Sequence, residues 1–276
     1  MLMPFSVLIS VYDKELPSNL EEALDSIFRS TILPAEVVLV KDGPLNSALD
    51  HIIDKYKIAN PKIMKIIPLP ENVGLGEALK LGVNYCSCEL IARMDSDDIC
   101  TRDRFELQLN VFKEDPSLDV VGGHIYEFEN DIKNIISKRI MPLTERDFVK
   151  YSINRNPLNH VTVMFKKQSV LDVGNYESTG GIGFEDYLLW VKMILDGKKI
   201  KNINHFLVYV RTGNEMIKRR GGRRYISNAV KFRIRVYKMG FCGLQETFIT
   251  ILINIFVGLS PKFIRKQIYF KILRRE

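Results

Sequence analysis

With 276 residues, 46% hydrophobic and 26% charged, the chain can bury the core of one large domain, or of one domain with an appendage, and its composition is not that of a low-complexity protein. Four cysteines (Cys86, Cys88, Cys100, Cys242) make no disulfide framework, and Cys86-Ser-Cys88 lacks the two-residue gap of a zinc site. The net charge of +7 is divided unevenly: residues 1–197 hold 21 Lys/Arg against 30 Asp/Glu, and residues 198–276 hold 19 against 3. That asymmetry points to an anionic partner for the C-terminal part: membrane surface, nucleic acid or phosphorylated substrate.

The first run, "FSVLISVY" (5–12), is apolar, rich in β-branched residues and of strand length. The opening "MLMPFSVLISVYDKELP" has neither the basic region nor the small-residue cleavage site of a signal peptide, so the expectation is a cytoplasmic protein. "SNLEEALDSIFRS" predicts a helix, with Ser18 and Glu21 as a capping box and Leu20, Ala23, Leu24, Ile27 and Phe28 on one face. "AEVVLVKDG" (35–43) predicts a second buried strand and "LNSALDHIIDKY" a helix. "MKIIPLP" (64–70) follows as a strand, "LGEALKLGVNYC" as a helix and "ELIARMD" as a fourth strand. Such alternation implies an α/β fold: a mostly parallel, Rossmann-like sheet with helices on both faces. Beyond residue 105 the pattern loosens. Helices are expected at "RDRFELQLNVFKEDP" and 185–200, and strands at 119–128, 161–167 and "HFLVYVRTG".

In parallel sheets ligands bind beyond the C-terminal strand ends. Asp13, Asp42, Asn72 and Asp95 all fall just after predicted strands, so four polar residues converge on one rim. After the fourth strand stands Asp95-Ser96-Asp97-Asp98. Loop carboxylates there are hard oxygen ligands for Mg2+ or Mn2+, although an acidic turn capping the next helix has the same composition.

The string "VLISVY…VVLVKDG…ENVGLGEALKLG…ARMDSDDI…R" resembles the inverting family 2 glycosyltransferases, over roughly residues 5–212 and with five elements in the family's order. It looks most similar to bacterial enzymes that build O-antigen and exopolysaccharide repeat units. The resemblance implies a nucleotide-sugar-binding GT-A fold over 1–215 and a metal-dependent transfer from a UDP-sugar, galactose being the first expectation and glucose or an N-acetylhexosamine the next. It assigns Ser10, Val11, Tyr12 and Glu15 to the segment wrapping the uridine, Asp42 to a hydrogen bond from uracil, and Asn72, Gly74 and Leu75 to the turn near base and ribose. Arg93, Asp95 and Ser96 fall near the nucleotide, Asp97 on the metal (Mn2+ or Mg2+), and Asp98 either beside Asp97 or capping the next helix. "GGIGFEDYLLW" (180–190) resembles the acceptor-side segment, making Asp186 the catalytic base with Glu185 beside it; an acidic pair at a helix N-terminus also suits the dipole. Trp190 is an acceptor-side candidate that fits the core equally, His160 a candidate near donor sugar or acceptor for which a structural role is the commoner one, and Arg211 a candidate for the diphosphate.

The C-terminal segment, 216–276, is basic and amphipathic around the uncharged run 247–261, which is shorter than the ~20 residues of a spanning helix. Basic faces beside Phe, Ile and Leu suit a helix lying in a membrane interface; the alternative is an ordinary helical pair packed on the domain. "KRRGGRR" (218–224) reads as a phosphate-gripping loop or as a solvated basic face. The expected acceptor is therefore a saccharide on a lipid diphosphate at the inner face of the cell membrane. Two other functions compete. A nucleotidyltransferase acting on a sugar phosphate also needs carboxylates and a metal, but "VYDKELP" stands where its Gly-rich basic loop belongs. A non-enzymatic basic membrane module leaves the aspartates without a task. Nucleic acid is not expected as a partner, because Tyr225, Phe232 and Tyr237 recur at helical spacing rather than as stacking platforms.

Overall fold

The computed structural model describes residues 3–177, 183–212 and 221–268. Strands β1 (Phe5–Val11), β2 (Glu36–Lys41), β3 (Met64–Pro68) and β4 (Leu90–Asp95) lie parallel in the order β3-β2-β1-β4. Their continuous apolar runs are explained by burial of both faces. On one face, Val7, Ile9, Val37 and Leu39 pack with Leu20, Leu24 and Ile27 of α1 (Pro17–Phe28) and with Leu49 and Ile53 of α2 (Ser47–Ala59). On the other, Leu8, Val38 and Val40 meet Ala78, Leu79 and Val83 of α3 (Leu75–Tyr85). That helix lies so close that a Cβ on Gly82 would stand 2.3 Å from Leu8 Cδ1.

The second half extends the sheet beyond β4. In chain order it comprises β5 (Ile99–Cys100), α4 (Arg104–Glu114), β6 (Val120–Phe128), β7 (Ile135–Arg139), α5 (Glu145–Asn154), β8 (Met164–Lys166), α6 (Lys167–Asp172), α7 (Glu185–Leu195) and β9 (Ile200–Arg211). The sheet order is β3-β2-β1-β4-β8-β6-β9-β5, with β7 on the free side of β6. The long β6–β9 pairing is parallel, whereas β8 joins both neighbours antiparallel. Trp190, Leu189 and Met193 of α7 complete the core shared with α3.

Several elements differ from the sequence expectation. The Ser18/Glu21 capping box does not form: α1 starts at Pro17, whose missing N–H costs nothing in the first turn, with Leu16 as N-cap. Glu15 there accepts from the Leu16 N–H and from the Asn19 amide. The strand expected over 161–167 is cut at both ends, by a 3-10 turn at His160–Thr162 and by α6 from Lys167. The helix expected to reach residue 200 stops at Leu195, where Gly197 takes φ +74°, and β9 begins five residues before "HFLVYVRTG". β7 and α5 are not among the expected elements, although α5 is amphipathic and β7 alternates in exposure.

Among the described residues three further helices follow: α8 (Gly222–Lys238), α9 (Leu244–Leu259) and α10 (Lys262–Gln267). α8 lays Phe232 and Val236 on Tyr187, Leu188 and Val191 of α7. α9 packs on α8 yet leaves Phe248, Leu252, Ile253, Phe256 and Leu259 exposed. No helix among the described residues is long and apolar enough to cross a membrane. The expected domain boundary at 215/216 and residues 218–220 of "KRRGGRR" lie outside the described residues.

Candidate active site

The parallel register places the C-terminal ends of β1, β2 and β4 together, with Ser10 opposite Asp95 on one side and Val40 on the other, and Val11 opposite Lys41. Ser10 is half-buried, Val11 is buried and Tyr12 is exposed. Asp42, just past β2, is buried and grips the turn before α3: its two carboxylate oxygens accept from the Val73 N–H at 2.7 Å and the Gly74 N–H at 3.1 Å. Asn72 returns a bond from its amide to the Asp42 carbonyl at 3.1 Å. The adjoining Gly43 sits at φ +88°, and a Cβ there would stand 2.7 Å from the Asn72 nitrogen, so only glycine lets these two loops meet. Gly74, at φ +86°, leads into exposed Leu75.

The acidic turn follows β4. Asp95, Asp97 and Asp98 each bring a carboxylate oxygen within 4.8 Å of the others. Arg93, 2% exposed, forms a two-point ion pair with Asp95, one bond being 2.6 Å. Ser96 donates to Glu15 at 2.8 Å, tying the turn to the loop after β1. Asp98 is buried and accepts from the Arg211 N–H at 2.8 Å. The Arg211 guanidinium binds the Asp97 carbonyl at 3.2 Å and pairs with Glu22, so it braces the turn from behind. No other residue's side chain binds the Asp97 carboxylate among the described residues. Burial, then the charges of Asp95 and Glu15, push Asp97 up to about 7, and burial with Asp97 and Asp95 pushes Asp98 well above the carboxylate range. A partly buried set of oxygen donors under mutual repulsion fits a hard divalent cation.

The expected acceptor-side segment also comes under the charge of Arg93. Asp186, at the start of α7, accepts from its neighbour Tyr187 N–H at 2.8 Å and from the Asn156 amide at 2.6 Å. Burial raises its carboxyl, opposed by those two donors and by the charges of Arg93 and Arg139. Glu185 is half-buried, its Cβ 3.4 Å from the place a Cβ on Gly76 of α3 would take. His160 is held by Tyr176, Nε2 to hydroxyl 2.8 Å, and burial beside Arg93 keeps its imidazole neutral. Trp190 lies wholly inside the core, edge-on to His160 at 6.1 Å between ring centres. Residues 180–182 of the acceptor-side segment lie outside the described residues. Sequence reasoning missed Asn156, Tyr176 and Arg139; the one local signal available, an Asn-Pro dipeptide at 156–157, favours a turn and says nothing of its partner.

The glycosyl transferase family 2 model matches residues 6–174. A chain from Escherichia coli, the UDP-Gal:alpha-D-GlcNAc-diphosphoundecaprenol beta-1,3-galactosyltransferase, is 38% identical over 98% of this chain and 97% of its own length. The amylovoran biosynthesis glycosyltransferase AmsE of Erwinia amylovora is 35% identical over 97% of this chain and 98% of its own. Among solved structures, a mannosyltransferase from Pyrobaculum calidifontis in complex with GDP-Man and Mn2+ superposes with a TM-score of 0.61 at 15% identity, over 96% of this chain and 79% of that one. The mostly parallel sheet flanked by helices is that of a GT-A glycosyltransferase fold. The chain belongs to glycosyl transferase family 2 and is a hexosyltransferase.

Proposed function

We propose that this enzyme transfers a hexose, galactose first, from a UDP-sugar to a saccharide carried on a lipid diphosphate, with inversion at the anomeric carbon. The observation that carries the reading is that two carboxylate centres share the charge of buried Arg93: the Asp95-Asp97-Asp98 turn and the half-buried Asp186. The end-to-end similarity to the E. coli galactosyltransferase supports the substrate class.

The nucleotide is received at the β1, β2 and β4 ends. Ser10, Val11, Tyr12 and Glu15 border the uridine, and Asp42 with Asn72, Gly74 and Leu75 forms the turn beside the base and ribose. Asp42 already accepts two backbone bonds, so it meets uracil with its remaining lone pairs. Asp97 is the ligand for Mn2+ or Mg2+, with Asp95 and Asp98 shaping the turn; the cation supplies charge neutralisation for the diphosphate. Asp186 takes the proton from the acceptor hydroxyl. That oxygen bonds to the anomeric carbon as the bond to the diphosphate breaks, and the electron pair leaves with UDP. Attack opposite the leaving group gives a β linkage from an α-linked donor. A carboxyl raised by burial suits a base, and Asn156 and Tyr187 N–H keep it ionised and oriented.

The exposed apolar side of α9, with the basic helices α8 and α10 beside it, supports peripheral binding to an anionic membrane surface, where the acceptor resides. The test is transfer from UDP-galactose to N-acetylglucosaminyl diphosphate on a short alkyl chain and on a long lipid in vesicles. A β-linked product that requires Asp186 supports the reading. Equal activity of a variant lacking 244–276 on the vesicle acceptor would remove the membrane role.

A further inference from the structure

α8 does more than cover α7. Its Arg233 is 5% exposed and reaches across to the C-terminal end of α5, where it donates to the Ile153 carbonyl at 2.8 Å and the Asn154 carbonyl at 2.5 Å. A cation on the last carbonyls of a helix satisfies groups that the helix itself cannot. The same guanidinium lies 3.4 Å from the Tyr187 hydroxyl and 5.4 Å from the centre of its ring. Tyr187 in turn donates to the Ser152 carbonyl. Two residues beyond that helix end is Asn156, whose amide holds Asp186, and whose own carbonyl is held by Arg139 at 3.0 Å. Asp186 and Tyr187 are adjacent on α7. Arg233 therefore fixes both sides of the Asp186 environment, through α5 to Asn156 and through Tyr187 to the start of α7.

We propose that Arg233 and Asn156 are positioning residues for Asp186, so that the C-terminal helices are part of the catalytic apparatus and not only an anchor. This rests on Asp186 being the base. Arg235, two residues further along α8 and on a different face, pairs with Glu177 and ties α8 to the residue after Tyr176. The charged groups facing Asp186 are Arg93 from β4 and Arg139 from β7, with Glu185 beside it; Tyr176 contributes a neutral phenol. Removing the Asn156 donor takes away a bond to the ionised form, so the Asp186 carboxyl must titrate at higher pH.

The experiment uses the full chain with UDP-galactose and the short-chain diphosphate acceptor, on which loss of membrane anchoring has no effect. Asn156→Ala and Arg233→Met should lower kcat about 10- to 100-fold while UDP affinity stays within about twofold. The acid limb of kcat/KM should move to higher pH, and Arg233→Lys should recover most of kcat. In parallel, 13C titration of the aspartate carboxyls, with Asp186→Asn for assignment, should show the Asp186 signal moving to higher pH in both variants. Tyr187→Phe, which removes one oxygen from the same network, should shift it in the same direction and covers the case in which Arg233→Met does not fold. A pH profile and carboxyl titration unchanged in Asn156→Ala and Tyr187→Phe would overturn the proposal. Activity retained by Asp186→Asn, with the titration shifts present, would instead overturn the base assignment and leave the positioning intact.

Discussion

Arg93 and Asp95 stand two residues apart on one strand, so their side chains share a face of the sheet, and they close a two-point ion pair at the end of β4. Arg93 is buried, whereas Asp95 reaches the rim. The same guanidinium acts electrostatically on Asp97, Asp98, His160, Tyr176 and Asp186. One cation therefore holds together the two halves of the site, and burial is tolerable because Asp95 keeps it paired.

Replacing Arg93 with Met leaves that acidic face without its fixed counter-charge. Stability should fall by about 2–4 kcal/mol, below the usual cost of breaking a fully buried pair because Asp95 is partly solvated. Denaturant unfolding gives the loss, and UDP titration should show weaker nucleotide binding in the folded fraction.

Asp97 gives a pH-dependent signature. Its folded-state carboxyl is raised to about 7 from an ordinary value of 3.8, so between these limits the folded state binds the proton more tightly than the unfolded state. Stability of the metal-free protein must therefore fall as pH rises through that window. Asp97→Asn removes the repulsion: it should match wild type near pH 4 and be more stable near pH 8, with the gap opening between. Thermal melts across pH in EDTA read this directly. A divalent cation should reverse the ranking at pH 8, since only wild type gains from binding it.

The turn proposed to receive the uracil and ribose depends on close approach of two loops. Gly43→Ala puts a methyl 2.7 Å from the Asn72 nitrogen at a φ of +88°. The loops must separate, costing about 1–3 kcal/mol. Nucleotide affinity should drop about tenfold or more, whereas Gly197→Ala, also at positive φ but with open space around its Cβ, should lose some stability and leave nucleotide binding intact. Calorimetric titration of UDP into both variants checks the contrast.

Much of this site was legible in the sequence because it is local. An apolar run ending in Asp95-Ser96-Asp97-Asp98, or in Asp42, declares a strand end with charges that need a partner. What those aspartates contact was not legible. Asp42 binds backbone 31 and 32 residues away, and Asp98 binds the Arg211 N–H 113 residues away. Asn156 and Arg233 were invisible for the same reason: their partners are 30 and 79–80 residues distant. α1 shows a local rule overridden by a neighbour, since Pro17 fixed the first turn before Ser18 could cap it.

The two roles proposed for the helices at the C-terminus are separable by point variants. Phe248→Ser with Phe256→Ser changes only exposed positions on α9. Vesicle binding should fall at least tenfold at a stability cost below about 1 kcal/mol. Flotation with anionic vesicles, in low and high salt, measures the apolar and electrostatic parts together.

The central claim is that the acidic turn receives a divalent cation carrying a nucleoside diphosphate. Isothermal titration of UDP into the purified protein, with Mn2+ and with EDTA, for wild type and Asp97→Ala, addresses it most directly. Tight binding that needs both the metal and Asp97 is the predicted result. Equal binding with EDTA, or in Asp97→Ala, would contradict the assignment of the metal to Asp97, and no binding under any condition would contradict a UDP-sugar donor.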